Sequence, residues 1–140
     1  MKPSKLILLL PMLSLALGVL IFSSCKKKFD TGITGKVTIG QGDCMPVVDE
    51  STRTYDDYKG YIYCIVKADL DSLHGGDFEQ LKQNSIKEKI RGGNLSMELP
   101  PNTYVLMPEE VYKYSPENTI TITQGQVLQQ DFKFWICTSY

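Results

Sequence analysis

KGYIYCIVKA, residues 59–68, is the stretch that decides the fold. Its apolar side chains fall on both faces of a strand with period two: Ile62, Cys64 and Val66 on one face, and Tyr61, Tyr63 and Ile65 on the other. Strict alternation is typical of a β-strand. A strand that is apolar on both faces is predicted to be central in its sheet. We expect a loop, residues 46–58 or residues 108–118, to cover its second face.

Alternation before and after this stretch predicts further strands. A first strand begins near Ile33 and is expected to end in the glycine-rich turn at residues 40–43. Residues 86–90 and 95–99 also alternate, and Gly92-Gly93-Asn94 between them is a typical turn sequence. We therefore expect these two segments to pair as a β-hairpin.

The last strand is predicted over residues 127–137, with three residues facing inward: Phe132, Phe134 and Ile136. Residues 77–91 fit a helical stripe only in part, so we expect one short helical turn near residues 77–83 and a strand from about residue 85. Turn signals recur about every ten residues. The fold class predicted is all-β, an antiparallel two-sheet β-sandwich of about seven strands.

The composition excludes several classes of function. The 140 residues include 15 Lys and Arg against 16 Asp and Glu, and this balance is not that of a polybasic nucleic-acid binder. His74 is the single histidine, and with scattered cysteines it does not supply a zinc ligand set. Residues 69–80 begin like a calcium loop but lack its glycine and its final glutamate. We expect no cofactor, no metal and no catalytic site.

The first 25 residues have the plan of an export signal. Lys2 and Lys5 precede an apolar run over residues 6–22, and Ser23 and Ser24 stand directly before Cys25. This ending resembles a bacterial lipoprotein signal, in which the cysteine after the cleavage site receives a diacylglycerol and an acyl chain. The alternative is an uncleaved membrane helix, because 17 apolar residues lie at the lower limit of what spans a bilayer.

The lipoprotein interpretation divides the chain into three parts. Residues 1–24 are the signal peptide, residues 25–31 are the lipidated Cys25 and a polar tether, and residues 32–140 are the sandwich domain. Two or more acyl chains hold a protein on a membrane stably. We therefore expect an exported protein that is lipid-anchored to a bacterial membrane, with the outer membrane as the expected location.

Two motifs within the domain resemble those of a known family. Residues 35–46, GKVTIGQGDCMP, and residues 95–104, LSMELPPNTY, resemble the opening strand and the "LPPGxY" turn of carboxypeptidase-regulatory-like domains. Pilin and adhesin modules of the Cna-B type are also similar. The resemblance covers most of residues 32–140 and implies a transthyretin-like β-sandwich that usually serves as an accessory domain without catalysis. Asn102 stands where the family's turn has glycine.

Three cysteines remain in the domain once Cys25 is lipidated. Cys64 shares a face with Ile62 and is expected to be a buried thiol. Cys137 has the opposite parity to the inward residues of the last strand, and Cys44 follows the first strand. We predict a Cys44–Cys137 disulfide, with a fully reduced domain as the alternative.

Surface aromatics are the remaining candidates for function. Trp135, Tyr61 and Tyr63 have outward parity and form the candidate binding surface. The function predicted is a structural or protein-interaction accessory module of the cell envelope, with an envelope protein or a glycan as partner besides the membrane. The alternative is a module that binds carbohydrate or another small ligand on these aromatics.

Overall fold

The computed structural model describes residues 28–44, 50–111 and 116–139. Within them the chain forms the predicted all-β sandwich of two sheets. The signal peptide and Cys25 lie outside the described residues, as do parts of both loops expected as covers. The described helices include none that is long and apolar enough to cross a membrane.

The first sheet, sheet I, is built around the long strand β1 (Gly32–Asp43). Strands β2 (Asp56–Asp57) and β5 (Asn94–Glu98) pair with it in antiparallel fashion on one side. On the other side β8 (Val127–Gln129) and β9 (Phe132–Ser139) run parallel to it. The sandwich is therefore antiparallel except where β8 and β9 meet β1, which alternation along single strands cannot reveal.

The second sheet, sheet II, has the order β4-β3-β6-β7 and is antiparallel throughout its described ladders. Its strands are β3 (Gly60–Val66), β4 (Ile86–Ile90), β6 (Asn102–Pro108) and β7 (Thr119–Ile122). Strand β3 lies between β4 and β6, so the prediction of a central strand within residues 59–68 is confirmed for Gly60–Val66, whereas Lys67 and Ala68 are helical.

The predicted hairpin of residues 86–90 and 95–99 is wrong. Strand β4 pairs with β3 in sheet II, whereas β5 pairs with β1 in sheet I. The turn is real, because Arg91 and Asn94 form an isolated bridge and Gly92 and Gly93 have φ of 61° and 72°. It carries the chain across from one sheet to the other. Local turn chemistry favours the reversal of the chain, and Ile90 at the end of β4 and Leu95 and Met97 of β5 then enter the same core from the two sheets.

The first strand does not end at residue 40 as expected. It continues to Asp43, and residues 40–43 pair with β9 instead of turning. Glycine stands in this part of the strand for a steric reason: a Cβ at Gly40 would lie 2.5 Å from the Thr54 carbonyl oxygen and 2.6 Å from Cζ3 of Trp135. Gly40 and Gly42 therefore make room for an indole ring within a strand.

Two short helices follow β3: α1 (Lys67–Asp71) and α2 (Phe78–Asn84). The second confirms the helical turn predicted near residues 77–83, and its N-terminus is capped by the Asp77 carboxylate, which accepts from the Gln80 N–H at 3.1 Å. The first was not predicted, and β3 ends at Val66 because the backbone turns helical at Lys67.

The helices, and not the described parts of the two expected loops, cover the outer face of sheet II. Four buried residues of β3 and β6 pack there against three half-buried helical side chains: Tyr63, Ile65, Val105 and Met107 against Leu70, Phe78 and Leu81. The main core lies between the sheets and includes Ile33, Ile62, Cys64, Leu106 and Phe134. The central strands β3 and β6 of sheet II are thus buried on both faces, whereas the edge strand β4 stays largely exposed.

The turn before β6 accommodates Asn102 in an ordinary backbone conformation. The described residues include no non-glycine residue with positive φ, so Asn102 does not need the left-handed conformation that glycine provides. Its side chain accepts a hydrogen bond from the Thr103 N–H at 2.8 Å. The Tyr104 hydroxyl donates to the Pro100 carbonyl at 3.0 Å and closes the turn.

Candidate functional site

Trp135 lies on the outer face of sheet I, as its parity predicts. Its indole extends over β1 and contacts Gly40 and Gly42, so its position depends on the absence of Cβ atoms there. The indole N–H donates to the Asp43 carbonyl oxygen at 3.1 Å. Trp135 is half-buried. The hydrogen bond to Asp43 and the contacts with the backbone at Gly40 and Gly42 fix the orientation of its ring.

Residues from the segment before β2 cover Trp135. The guanidinium carbon of Arg53 lies 4.5 Å from the indole centroid, in the range of a cation–π contact. The ring of Tyr55 meets the indole edge-on, with centroids 5.6 Å apart. Glu50 binds both, accepting from the Tyr55 hydroxyl at 2.6 Å and pairing with Arg53 at 3.1 Å. We call Glu50, Arg53, Tyr55 and Trp135 the Trp135 cluster.

The protonation states of Glu50 and Tyr55 follow from their contacts within the cluster. The hydrogen bond from Tyr55 and the charge and hydrogen bond of Arg53 lower the pKa of Glu50. Partial burial and the bond to Glu50 raise the pKa of Tyr55. Glu50 is therefore ionised and Tyr55 neutral at neutral pH. This pattern stabilises the arrangement and does not create a group poised for proton transfer.

The disulfide joins Cys44 to Cys137, as predicted, with Cα atoms 5.2 Å apart and a sequence separation of 93. It ties the residue after β1 to β9 at the same end of sheet I as Trp135. The fold brings these residues together because β9 runs parallel to β1, which places Cys137 opposite Gly42.

Cys64 is the free and buried thiol that the sequence predicts. It is fully buried between the sheets and lies 3.4 Å from the Met97 sulfur. Burial raises the pKa of this thiol to about 12. A thiol that stays protonated at neutral pH is a weak nucleophile. Cys64 therefore contributes to the packing between the sheets.

Tyr61 and Tyr63 do not form the exposed pair expected of a binding surface. Tyr63 is only 2% exposed, because α2 packs over it, and it does not reach solvent as a platform. Tyr61 is half-buried at the edge of this covering, 6.5 Å from Tyr63 between ring centroids. Lys87 and Lys89 hold their ammonium groups 5.9 and 5.6 Å from the Tyr61 centroid. Of the two tyrosines, only Tyr61 contributes to the surface.

Lys82 is a buried cation that the sequence pattern did not identify. It lies on α2, is 1% exposed, and its ammonium donates to the carbonyl oxygens of Glu109 at 2.8 Å and Val111 at 3.2 Å. The same ammonium is 5.2 Å from the Tyr63 ring centroid. Burial lowers its pKa, while nearby carboxylates, Glu79 first, oppose that shift. Lys82 therefore fastens α2 to the turn after β6.

Tyr58 forms a second buried polar contact with the same turn. Its hydroxyl donates to the Glu110 carboxylate at 2.9 Å, lies 2.9 Å from the Tyr61 carbonyl oxygen and accepts from the Glu109 N–H at 3.3 Å. Burial and the Glu110 charge raise the pKa of this phenol. A lysine in a polar helix and a tyrosine in a polar loop carry no periodic signal, so neither contact could be read from local pattern.

The other candidate groups stay apart. His74 is exposed in the segment between α1 and α2, and Asp69 and Asp71 lie on α1, where Asp71 pairs with Lys67 at 2.5 Å. Within the described ranges no three histidine, cysteine or acidic residues come together in a way that could hold a metal ion. The aspartates that resemble the start of a calcium loop are therefore part of a helix.

The resemblance to carboxypeptidase-regulatory-like domains is carried by residues 35–46 and 95–104. These residues form most of β1, β5 and the turn that leads into β6, so the motifs belong to the sheets and not to the Trp135 cluster. Comparison with models of known families, with curated proteins and with solved structures found no match to this chain.

Proposed function

We propose that the protein is an exported lipoprotein, anchored by Cys25, whose β-sandwich serves as a non-catalytic accessory module of the cell envelope. The observation that carries this proposal is the Cys44–Cys137 disulfide. Structural disulfides belong to oxidising compartments outside the cytosol. The disulfide thus agrees with the export signal in residues 1–24, although the two lie in different parts of the chain.

The Trp135 cluster is the surface through which such a module contacts a partner protein. Trp, Tyr and Arg are the residue types enriched at the energetic centres of protein interfaces, and Trp135, Tyr55 and Arg53 meet here. The cluster lies at the far end of β1 from residue 32. The eleven steps of β1 span about 36 Å, so the cluster, which lies over the last residues of this strand, is far from the end at which the tether joins it.

Carbohydrate binding is less well supported by the same geometry. A sugar ring stacks on an open aromatic face, but Gly40, Gly42 and Arg53 already contact the indole of Trp135. Tyr63 is buried beneath α2. A sugar would have to displace Arg53 from both the indole and Glu50. Protein contact needs no such displacement, because a partner can pack on the cluster as it stands.

Membrane fractionation with single cysteine substitutions tests the anchor. We expect the native chain to be processed before Cys25, to incorporate labelled fatty acid and to remain in the membrane fraction. Cys25→Ala should abolish both processing and labelling. Cys64→Ala is the matched control and should behave as the native chain, because that thiol is buried in the domain. Fatty-acid labelling that survives in Cys25→Ala would contradict the proposal.

A further inference from the structure

One edge of sheet II carries a concentration of positive charge. Lys87, Lys89 and Arg91 alternate along β4 and just past it, with Lys87 opposite Tyr63 and Lys89 opposite Tyr61. Continuing this register places Lys59 beside Arg91. Since alternate residues of a strand point to the same side, these four cations share the outer face of the sheet. We call Lys59, Lys87, Lys89 and Arg91 the β4 basic face.

The charges of the β4 basic face are not neutralised within the described residues. None of its four cations has a carboxylate within ion-pair distance there, in contrast to Lys36, which pairs with Asp57 at 2.8 Å. The partners found are the rings of Tyr61 and Tyr63 and the side-chain amide oxygen of Gln83, 3.5 Å from Lys87. The one acid of β4, Glu88, has the opposite parity. Strand β4 is also the edge strand of sheet II, so no strand among the described residues pairs with its outer edge.

The start of β4 lies at the end of the domain where the chain enters. Phe29 lines the same open groove as Ile86 and Lys87, a groove of about 900 Å³ between the edges of β4 and β5. Ile86 is 38% exposed there. Three residue steps separate Lys28 from Cys25, and three residues span at most about 11 Å. A lipid on Cys25 would therefore hold this end of β4 close to a bilayer.

We propose that the β4 basic face lies against the headgroups of anionic phospholipids when the protein is anchored. The inference rests on the lipid anchor proposed above and specifies how the domain is oriented on the membrane. Lysines and arginines within a Debye length of a negatively charged bilayer are attracted to it, and those of this face have no carboxylate partner among the described residues. The Trp135 cluster, on the other sheet, stays accessible to a partner.

Lysine labelling on nanodiscs tests this orientation. The purified full-length processed chain is inserted into discs of phosphatidylcholine alone, or with about one third phosphatidylglycerol, and treated with a water-soluble amine-acylating reagent before peptide mapping. We expect Lys87 and Lys89 to react at least threefold more slowly on the anionic discs, and high salt to abolish the difference. Lys36 and Lys133, on sheet I, should react equally on both. Equal labelling of Lys87 and Lys89 on both discs would overturn the proposal.

Paired substitutions remove the charge without touching the core. Lys87→Gln with Lys89→Gln should abolish the protection of Lys59 on anionic discs, whereas Lys36→Gln with Lys133→Gln, an equal change of charge on sheet I, should leave it intact. Protection of Lys59 that survives the first pair would count against the β4 basic face.

The failure of the anchor and the failure of the face are separable. The mass of the Cys25 peptide reports lipidation, whatever the lysines do. If Cys25 carries no lipid, the same chain is sedimented with phosphatidylglycerol vesicles at low salt. Retention that is lost in the Lys87→Gln, Lys89→Gln variant then supports the face, and sedimentation no greater than with phosphatidylcholine overturns it.

Discussion

The outer faces of the two sheets differ in how an outward aromatic side chain is covered. Each face carries aromatic side chains that alternation assigns to the outside, Tyr63 on sheet II and Trp135 on sheet I. On sheet II, α1 and α2 cover the aromatic ring with apolar side chains, and Tyr63 is 2% exposed. On sheet I, Arg53 and Tyr55 cover it with polar groups, and Trp135 stays half-buried.

The difference shows what parity can and cannot decide. It assigns a side chain to one side of a sheet, but the chain segment that crosses that side determines whether the side chain is buried. The apolar side chains of α2 complete a second small core, and the polar segment 50–55 makes a surface cluster. Sheet I also has a covalent tie near that cluster, the Cys44–Cys137 disulfide, while sheet II has none among its described residues.

Removal of the Cys44–Cys137 disulfide should cause the largest loss of stability, and that loss should arise in sheet I. In the chain-entropy model a crosslink that closes a loop of this length contributes about 4–5 kcal/mol, and the sequence separation is 93 residues. We expect Cys44→Ala with Cys137→Ala to lower the free energy of unfolding by about 4 kcal/mol in urea titrations. A loss below about 1 kcal/mol would show that the remaining contacts of β9 suffice alone.

Truncation of Tyr63 tests the closed face of sheet II. A large aromatic side chain that is buried costs about 3–5 kcal/mol when it is cut to alanine, so we expect Tyr63→Ala to lower the free energy of unfolding by about 3 kcal/mol. Tyr61→Ala on the same strand is the matched control and should cost about 1 kcal/mol, because Tyr61 is half-buried. Similar losses in both variants would mean that the helices do not close this face.

A methyl group on β1 tests how the open face is built. Overpacking of a well-fitted site costs about 1–3 kcal/mol, and a Cβ at Gly40 would meet both Thr54 and Trp135. We expect Gly40→Ala to lower the free energy of unfolding by about 2 kcal/mol. The Trp135 indole should also become more accessible to iodide, so that its fluorescence is quenched more strongly. At Gly76 an added Cβ meets only the flexible end of Leu73, so Gly76→Ala should leave the fluorescence unchanged. Unaltered quenching in Gly40→Ala would refute the packing of the indole on β1.

The smallest effect is a dependence of stability on alkaline pH that comes from the core between the sheets. The pKa of the Cys64 thiol rises from 9.0 to about 12 on burial. The unfolded chain therefore loses this proton first, and stability falls between about pH 9 and pH 12. The contribution amounts to about 1 kcal/mol at pH 10. Unfolding midpoints measured from pH 8 to pH 10 should fall less steeply in Cys64→Ala. Identical slopes would contradict burial of the thiol.

Local pattern predicted the strands well and their partners less well. The faces of β3, the position of α2 and the Cys44–Cys137 pair follow from periodicity and parity, which depend on neighbours along the chain. The separation of β4 from β5 does not, because pairing is decided by contacts between distant segments. Gly40 and Gly42 were expected in a turn because glycine is common in turns. Here they provide space for Trp135.

The buried polar contacts of Lys82 and Tyr58 could not be predicted from local sequence pattern, for a related reason. Lys82 stands among Gln, Glu and Asn in α2, a sequence that predicts a solvated helix. It is buried because the turn after β6 presents two carbonyl oxygens that need donors. The partners of Tyr58 lie up to 52 residues away. Such contacts exist only once the fold has formed.

Intact-mass analysis of the native protein tests the central claim most directly, because it reads the anchor and the disulfide together. We expect a chain that begins at Cys25 and carries a diacylglycerol and an acyl chain. When it is denatured without reductant, alkylation should reach a single thiol, Cys64, and reduction should add Cys44 and Cys137. An unlipidated chain that retains Met1, or a disulfide that involves Cys64, would contradict the claim.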